Sequence, residues 1–189
     1  MKTAIAAYVF GSRGNSWPMD KLIIWGTRPA GWDSADVPTH SGLIFKYNDG
    51  SYDYAEAFLH EDWAVGIDIQ KLRDYAQQDA AWVRCFEVPI LSCQAKGLRA
   101  FADTKVGIWH YSILQLWRVA MHRLFGRKIP ATPTAVDCSE AVTRLLLPYW
   151  PRLVEETGRK TPEDVAPVDL FVGAQDFGLP LKPIEEVLA

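Results

Sequence analysis

The first half of the chain is built from short apolar runs and alternating stretches, broken by turn residues. Met1–Phe10 reads as an opening strand running into the Gly-rich turn Gly11–Asn15. Lys21–Thr27 (KLIIWGT), a short apolar run closed by Gly26 and Pro29, reads as a buried strand, and Arg28–Pro38 as a loop. Thr39–Tyr47 and Ser51–Phe58 alternate like strands. Between them stands Asn48-Asp49-Gly50, a hairpin signal because a primed turn needs positive φ and glycine adopts it without strain. Trp63–Ile69 and Ala81–Val88 predict two further strands, separated by a short helix over Ile69–Tyr75.

The period then lengthens. Ser92–Lys105 predicts a helix with Ser92 at its N-cap, and Ser112–Phe125 a second one closed by Gly126. After the turn-rich Lys128–Thr134 a third helix runs from Cys138 to about Tyr149. From about residue 150 the tail is rich in proline and reads as a surface wrap. It carries one short helix, opening at Thr161-Pro162-Glu163-Asp164 with Thr as cap and Pro at N1. Strands gathered ahead of helices predict an α+β fold, an antiparallel sheet packed with helices. The 189 residues fit one domain, 1–189, large enough to fold without a metal or disulfide staple.

Composition narrows the function classes. A net charge of −3 removes the electrostatic case for a nucleic-acid partner. No apolar run approaches the ~20 residues of a membrane-spanning helix. The start Met1–Phe10 lacks a small-x-small cleavage site, which favours a cytoplasmic chain as synthesised. Cys85, Cys93 and Cys138 are odd in number and widely spaced, so neither a disulfide framework nor a zinc site is expected, and no cofactor is implied.

Asp137-Cys138-Ser139-Glu140 carries the most chemistry. Asp at N-cap with Glu at N3 is a capping-box variant that puts Cys138 in the first helical turn, where the helix dipole favours the nucleophilic thiolate. Residues 138, 141, 142, 145 and 149 share a face, which turns Cys138 toward the sheet. Asp137 opposes thiolate formation by its own charge, so an imidazole is required nearby. The alternative is a small buried hydrophobe behind an ordinary cap. Cys85 and Cys93 read as structural.

Of four histidines, His122 in its basic stretch reads as a solvated helix position, His60 beside Glu61 and Asp62 as a surface ion pair, and His110 as a packed core residue. His40 opens a strand and shares its face with Gly42 and Ile44, and Gly42 leaves room beside the imidazole. Glu56, on the returning strand among apolar and aromatic residues, is the carboxylate that could hold the ring's tautomer, unless it faces solvent.

The His40 strand, the Ala55-Glu56-Ala57 strand, the Gly107 to Tyr111 stretch and the Asp-Cys-Ser helix start follow in that order. This order resembles the circularly permuted branch of the NlpC-like, papain-related superfamily, with its YiiX-like and lecithin:retinol acyltransferase-like members. Unpermuted cell-wall peptidases place the cysteine, in an Asp-Cys-Ser-Gly motif, ahead of the histidine. The resemblance spans about residues 21–172 and includes Thr161–Asp164. It implies a permuted papain-like fold, with Cys138 as nucleophile, His40 as general base and acid, Glu56 as the residue orienting the imidazole, and Tyr111 shaping the site. Glu140 departs from the family's glycine. The missing secretion signal leaves access to the cell envelope open, and a phage lytic setting would suit it.

The activity so implied is thiol hydrolysis of an amide or ester, as a peptidase or amidase acting on peptidoglycan or another peptide. The alternatives are a lipid-acting acyltransferase or acyl hydrolase, and a non-catalytic binding protein on the same scaffold. Trp25 and Trp32 suit an apolar or sugar-bearing ligand, although tryptophan is more often core. Over Ser112–Lys128, Arg118, Arg123, Arg127 and Lys128 give a basic amphipathic helix. That helix would allow peripheral membrane contact, or simply a solvated basic face on a packed helix. The oligomeric state is not legible.

Overall fold

A computed structural model describes residues 2–14, 18–58, 61–112, 114–115, 118–119, 121–122, 133–159 and 161–189. In chain order it contains β1 (Ala4–Gly14), α1 (Pro18–Thr27), β2 (His40–Tyr47), β3 (Tyr52–Phe58), β4 (Glu61–Asp68), α2 (Ile69–Gln78), β5 (Ala80–Glu87) and α3 (Ser92–Asp103). There follow β6 (His110–Tyr111), β7 (Ala135–Val136), α4 (Cys138–Leu146), α5 (Leu153–Glu156), α6 (Pro167–Asp176), β8 (Lys182–Pro183) and α7 (Ile184–Val187). Six strands form one antiparallel sheet in the order β4-β3-β2-β1-β5-β8, and β6 pairs parallel with β7 in a separate two-stranded ladder. The chain is therefore an α+β protein, a six-stranded antiparallel sheet packed with helices.

The two-residue period of the strands sorts their side chains onto two apolar layers. Val9, Leu43, Phe45, Ala55 and Phe86 face the larger one, with Leu98 of α3, Val142 and Leu145 of α4 and Phe171 of α6. Phe10, Ile44, Tyr54, Val83 and Cys85 face the other, beneath Leu72 of α2 and Ile184 of α7. Helices thus cover both faces, and a helix-bearing sequence downstream supplies lids that the strands alone lack. Within α3 the buried residues are Ala95, Leu98 and Ala102, one stripe at helical spacing.

The β2–β3 hairpin forms at the predicted turn. Gly50 takes φ 81°, and its N–H donates to the Tyr47 carbonyl at 3.0 Å. Gly42 has a different role from the one its sequence suggests. Its open flank is filled by the Phe10 ring of β1, and a Cβ there would also stand 2.6 Å from the Ala55 carbonyl oxygen. The room beside the imidazole is occupied by an aromatic wall.

Several other expectations are corrected. Lys21–Thr27 is part of helix α1, not a strand: a seven-residue apolar run carries no period that separates a buried strand from a helix facing the core. α3 starts at Ser92 itself, with Leu91 at the N-cap, its N–H donating to Gln94 Oε1 at 2.8 Å. Of Ser112–Phe125, residues 114–115, 118–119 and 121–122 are helical. The predicted end at Gly126 and most of Lys128–Thr134 lie outside the described residues.

The segment beyond residue 150 is not a surface wrap. α6 inserts Val168, Leu170 and Phe171 at no more than 1% exposure, and β8 adds an edge strand. Proline at N1 opens this helix, the same device that opens the 3₁₀ turn Pro162–Asp164 behind Thr161. No helix among the described residues is long and apolar enough to cross a membrane.

Candidate active site

His40 is the first residue of β2, and the hairpin register sets Gly42 opposite Glu56. His40 and Glu56 are thereby diagonal neighbours on adjacent strands, within reach of long side chains. Glu56 Oε2 lies 2.8 Å from His40 Nε2, with the side chains 17% and 13% exposed. The Phe10 ring meets the imidazole edge-on, centroids 5.9 Å apart. The ring is thus held by a carboxylate at one nitrogen and an aromatic wall at one face.

Cys138 arrives from the opposite direction. Asp137 caps α4, its Oδ1 accepting the Glu140 N–H at 2.8 Å, and leaves Cys138 as the first helical residue at 1% exposure. Ala141, Val142 and Leu145 press the same face of α4 into the sheet, as the helical spacing requires. The thiol and His40 are hydrogen-bonded. With Nε2 engaged by Glu56, Nδ1 is the nitrogen available to the sulfur.

The electrostatics follow from this packing. Burial by itself disfavours the imidazolium. The negative charge and hydrogen bond of Cys138, joined by those of Glu56, outweigh it and raise the His40 pKa to about 10. The ring therefore holds its proton through the neutral range.

Tyr111 stands next to the pair. The β6–β7 ladder sets it opposite Val136, two residues before Cys138, and Ser112 N–H donates to the Val136 carbonyl at 3.0 Å. Burial, then the charges of Cys138 and Asp137, drive its phenol well above the ordinary range. The Gly107 to Tyr111 stretch thus reaches the site through a two-residue parallel ladder.

Glu140 does not complete a capping box. Its side chain turns inward, fully buried, to Arg144 at 2.5 Å, and Arg144 also reaches Glu163 at 3.1 Å. Desolvation and the neighbouring Asp137 raise the Glu140 carboxyl to about 8, against the opposing pull of Arg144 and Arg118. Below pH 4.5 this proton is bound in both folded and unfolded chains. Between there and pH 8 only the folded protein holds it, so its stabilising contribution is complete at low pH and fades as pH rises through about 8. The thermal midpoint should fall from pH 5 to 8.5 in the wild type, and the fall should be shallower in Glu140→Gln by scanning calorimetry.

The basic helix face is not all solvated. Arg118 is 5% exposed, donates to the Glu163 carbonyl and lowers the carboxyl pKa values of Glu140 and Glu163. Sequence reading missed this buried counter-ion, because arginine at helical spacing looks the same on a solvated face and in an internal ion network. Arg123, Arg127 and Lys128 lie outside the described residues.

The remaining candidates separate from the site. His110 is exposed beside Asp62 (3.0 Å) rather than packed in the core, and His122 is half-buried against Asp164 (2.8 Å) rather than solvated. His60 lies outside the described residues. Cys85 is buried in the α2 layer, where desolvation pushes its thiol up to about 12. Cys93 is exposed in the first turn of α3, not structural. Trp25 stands 65% exposed on α1, and Trp32 is half-buried at the rim of the core. Among the described contacts neither joins Cys138, His40 and Glu56. No group of three or more His, Cys, Asp or Glu among the described residues is arranged to hold a metal ion. No protein-family model, no curated protein and no solved structure matches the chain.

Proposed function

We propose that the protein is a thiol hydrolase that cleaves an amide or ester through Cys138, His40 and Glu56, with a circularly permuted, NlpC-like arrangement of a papain-type site. The observation that carries this reading is the continuous chain from Glu56 through His40 to Cys138: a carboxylate fixing an imidazole that is hydrogen-bonded to a thiol at a helix start. A nucleophile, a base and an orienting group in series are the recurring parts of covalent acyl transfer.

In the reaction the Cys138 thiolate attacks the carbonyl carbon, and the electron pair moves to oxygen. The Cys138 N–H lies in the first turn of α4, whose amides lack intrahelical acceptors, and is suited to receive that oxyanion. Collapse breaks the bond to the leaving nitrogen or oxygen, which takes the proton from His40. Neutral His40 then removes a proton from water. The resulting hydroxide attacks the thioester, the acid product departs, and the thiolate–imidazolium pair is restored. Tyr111, beside Cys138 and Asp137, narrows the approach to the sulfur.

A peptide bond, in the stem peptides of peptidoglycan or in another peptide, is the substrate class this reading favours. Transfer of the acyl group to an amine would use the same thioester, and adding an amine acceptor to the assay separates the two outcomes. The test is mass spectrometry of peptidoglycan fragments and model peptide esters after incubation with the enzyme. Turnover and a thioester adduct on Cys138 are expected, with both lost in Cys138→Ala. Absence of any adduct across amide and ester substrates would sink the proposal. Glu56→Gln should keep the fold and lower kcat/KM by about a hundredfold, since the amide no longer fixes the imidazole tautomer.

A further inference from the structure

The short strand β7 delivers the nucleophile, because Val136 is followed by the cap Asp137 and then by Cys138 at the start of α4. Among the described residues only β6 pairs with it, so its other edge has no strand to satisfy its backbone. Backbone acceptors on such an edge must find donors elsewhere. The carbonyls of 133–136 show where those donors are. Thr134 and Val136 accept from the His110 and Ser112 N–H groups, at 2.8 and 3.0 Å. Pro133 and Ala135 accept from side chains instead, Arg144 Nη1 at 2.9 Å and Gln115 Nε2 at 3.1 Å.

Both donors are themselves held in place. Arg144 Nη2 pairs with Glu140 at 2.5 Å and with Glu163 at 3.1 Å, which fixes the plane of the guanidinium while Nη1 reaches Pro133. Arg118 donates to the Glu163 carbonyl and braces that turn. Gln115 is 4% exposed, and its N–H donates to the Ser112 carbonyl at 3.1 Å. It is thus placed by the same residue whose N–H meets Val136.

These contacts bear on the sulfur. Arg144 lies farther along the helix that Cys138 begins, yet it reaches back to Pro133, ahead of β7. It therefore closes the corner between β7 and α4 at which Cys138 stands. Gln115 ties β7 to the segment that follows Tyr111, and Tyr111 is itself set opposite Val136. A misplacement of about 1 Å in a reacting group can cost about a hundredfold in rate, so the seat of β7 matters to the chemistry.

We infer that Gln115 and Arg144 are positioning residues, which stand in for a missing strand along β7 and so set the sulfur of Cys138 against His40. The inference deepens the hydrolase reading and rests on it for the catalytic consequence, whereas the bracing of β7 does not require an active Cys138. Among the described contacts neither side chain touches Cys138 or His40. Arg144→Lys keeps the charge opposite Glu140 but has no planar fork to serve Glu140, Glu163 and the Pro133 carbonyl at once. Gln115→Met keeps the length of the side chain and removes the donor.

The test is iodoacetamide labelling of Cys138 at pH 6.5, referred to the exposed Cys93, in a double-mutant cycle with His40→Ala. Gln115→Met and Arg144→Lys should each slow labelling of Cys138 by about tenfold. On either background His40→Ala should cost less than in the wild type, because the sulfur and the imidazole no longer meet squarely. A loss of stability alone would leave the His40 effect at its full size. Arg84→Lys, on β5 and paired with Asp36, should label as the wild type does. Hydrogen exchange at the His110 and Ser112 amides should be about tenfold faster or more in both variants. If Arg144→Lys perturbs folding by circular dichroism, Gln115→Met decides. An undiminished His40 effect, or unchanged exchange at both amides, overturns the inference. Equal labelling of all three cysteines in the wild type, with exchange accelerated in the variants, would instead remove the hydrolase reading and leave the bracing of β7 standing.

Discussion

Iodoacetamide at pH 6.5 should alkylate Cys138 ahead of Cys85 and Cys93, and His40→Ala should abolish the preference together with at least a thousandfold of the hydrolytic rate. The size of the effect follows from the environment of the sulfur. Cys138 is nearly inaccessible and is preceded by a buried carboxylate, two features that work against a thiolate. A negative charge on the sulfur would be offset by the imidazolium beside it, whose pKa is raised to about 10. His110 and His122 pair elsewhere, with Asp62 and Asp164, and among the described contacts Cys138 is not a partner of either ring. In the proposed mechanism, removing His40 takes away the counter-charge, the leaving-group acid and the water-activating base together, and such coupled losses are far from additive.

The same pair dictates a pH profile. Proton delivery to the leaving group needs the imidazolium, so turnover should hold across the neutral range and fall as pH rises through about 10. Alkylation, which needs only the thiolate, should persist there. A kcat profile that instead collapses between pH 6 and 7 would mean that the imidazole titrates alone, without its thiolate partner. Uniform labelling of the three cysteines in folded protein would count directly against an activated sulfur.

The second large effect is on the fold and reaches the site through the backbone. Gly42→Ala should destabilise the protein by about 3 kcal/mol and cut activity even under conditions where it remains folded. The added methyl group would collide with the Phe10 ring and stand 2.6 Å from the Ala55 carbonyl oxygen. A side chain can swing aside, but Ala55 O belongs to the neighbouring strand, so relief requires β2 and β3 to separate. That separation lengthens the His40–Glu56 contact, which spans the same two strands. Displacement of Phe10 also removes the wall behind the imidazole. Chemical denaturation measures the first consequence and His40-dependent alkylation the second. A Gly42→Ala protein with wild-type stability would contradict the close approach.

Much of the architecture is written in local patterns. The Asn48-Asp49-Gly50 turn, the alternation on either side of it and the cap at Asp137 depend on residues adjacent in sequence. Their geometry is fixed by backbone sterics and by hydrogen bonds spanning three or four positions. The pairing of β2 with β3 follows from that turn, and with it the diagonal meeting of His40 and Glu56. Where a segment lacked period, as in Lys21–Thr27, or where burial came from elements far along the chain, as with α6, local patterns misled.

The sequence by itself determined the α+β class, the hairpin that aligns His40 with Glu56, and the helix start that bears Cys138, because each is a short-range consequence of backbone conformation and side-chain period. Only the tertiary structure decided that the thiol and imidazole share a hydrogen bond, that Phe10 and not open space flanks the ring, and that Arg118 and Glu140 are buried in one ion network. Those outcomes depend on how helices from the second half of the chain settle on a sheet built by the first. That docking is governed by the summed fit of two apolar layers, and no local window of residues contains it.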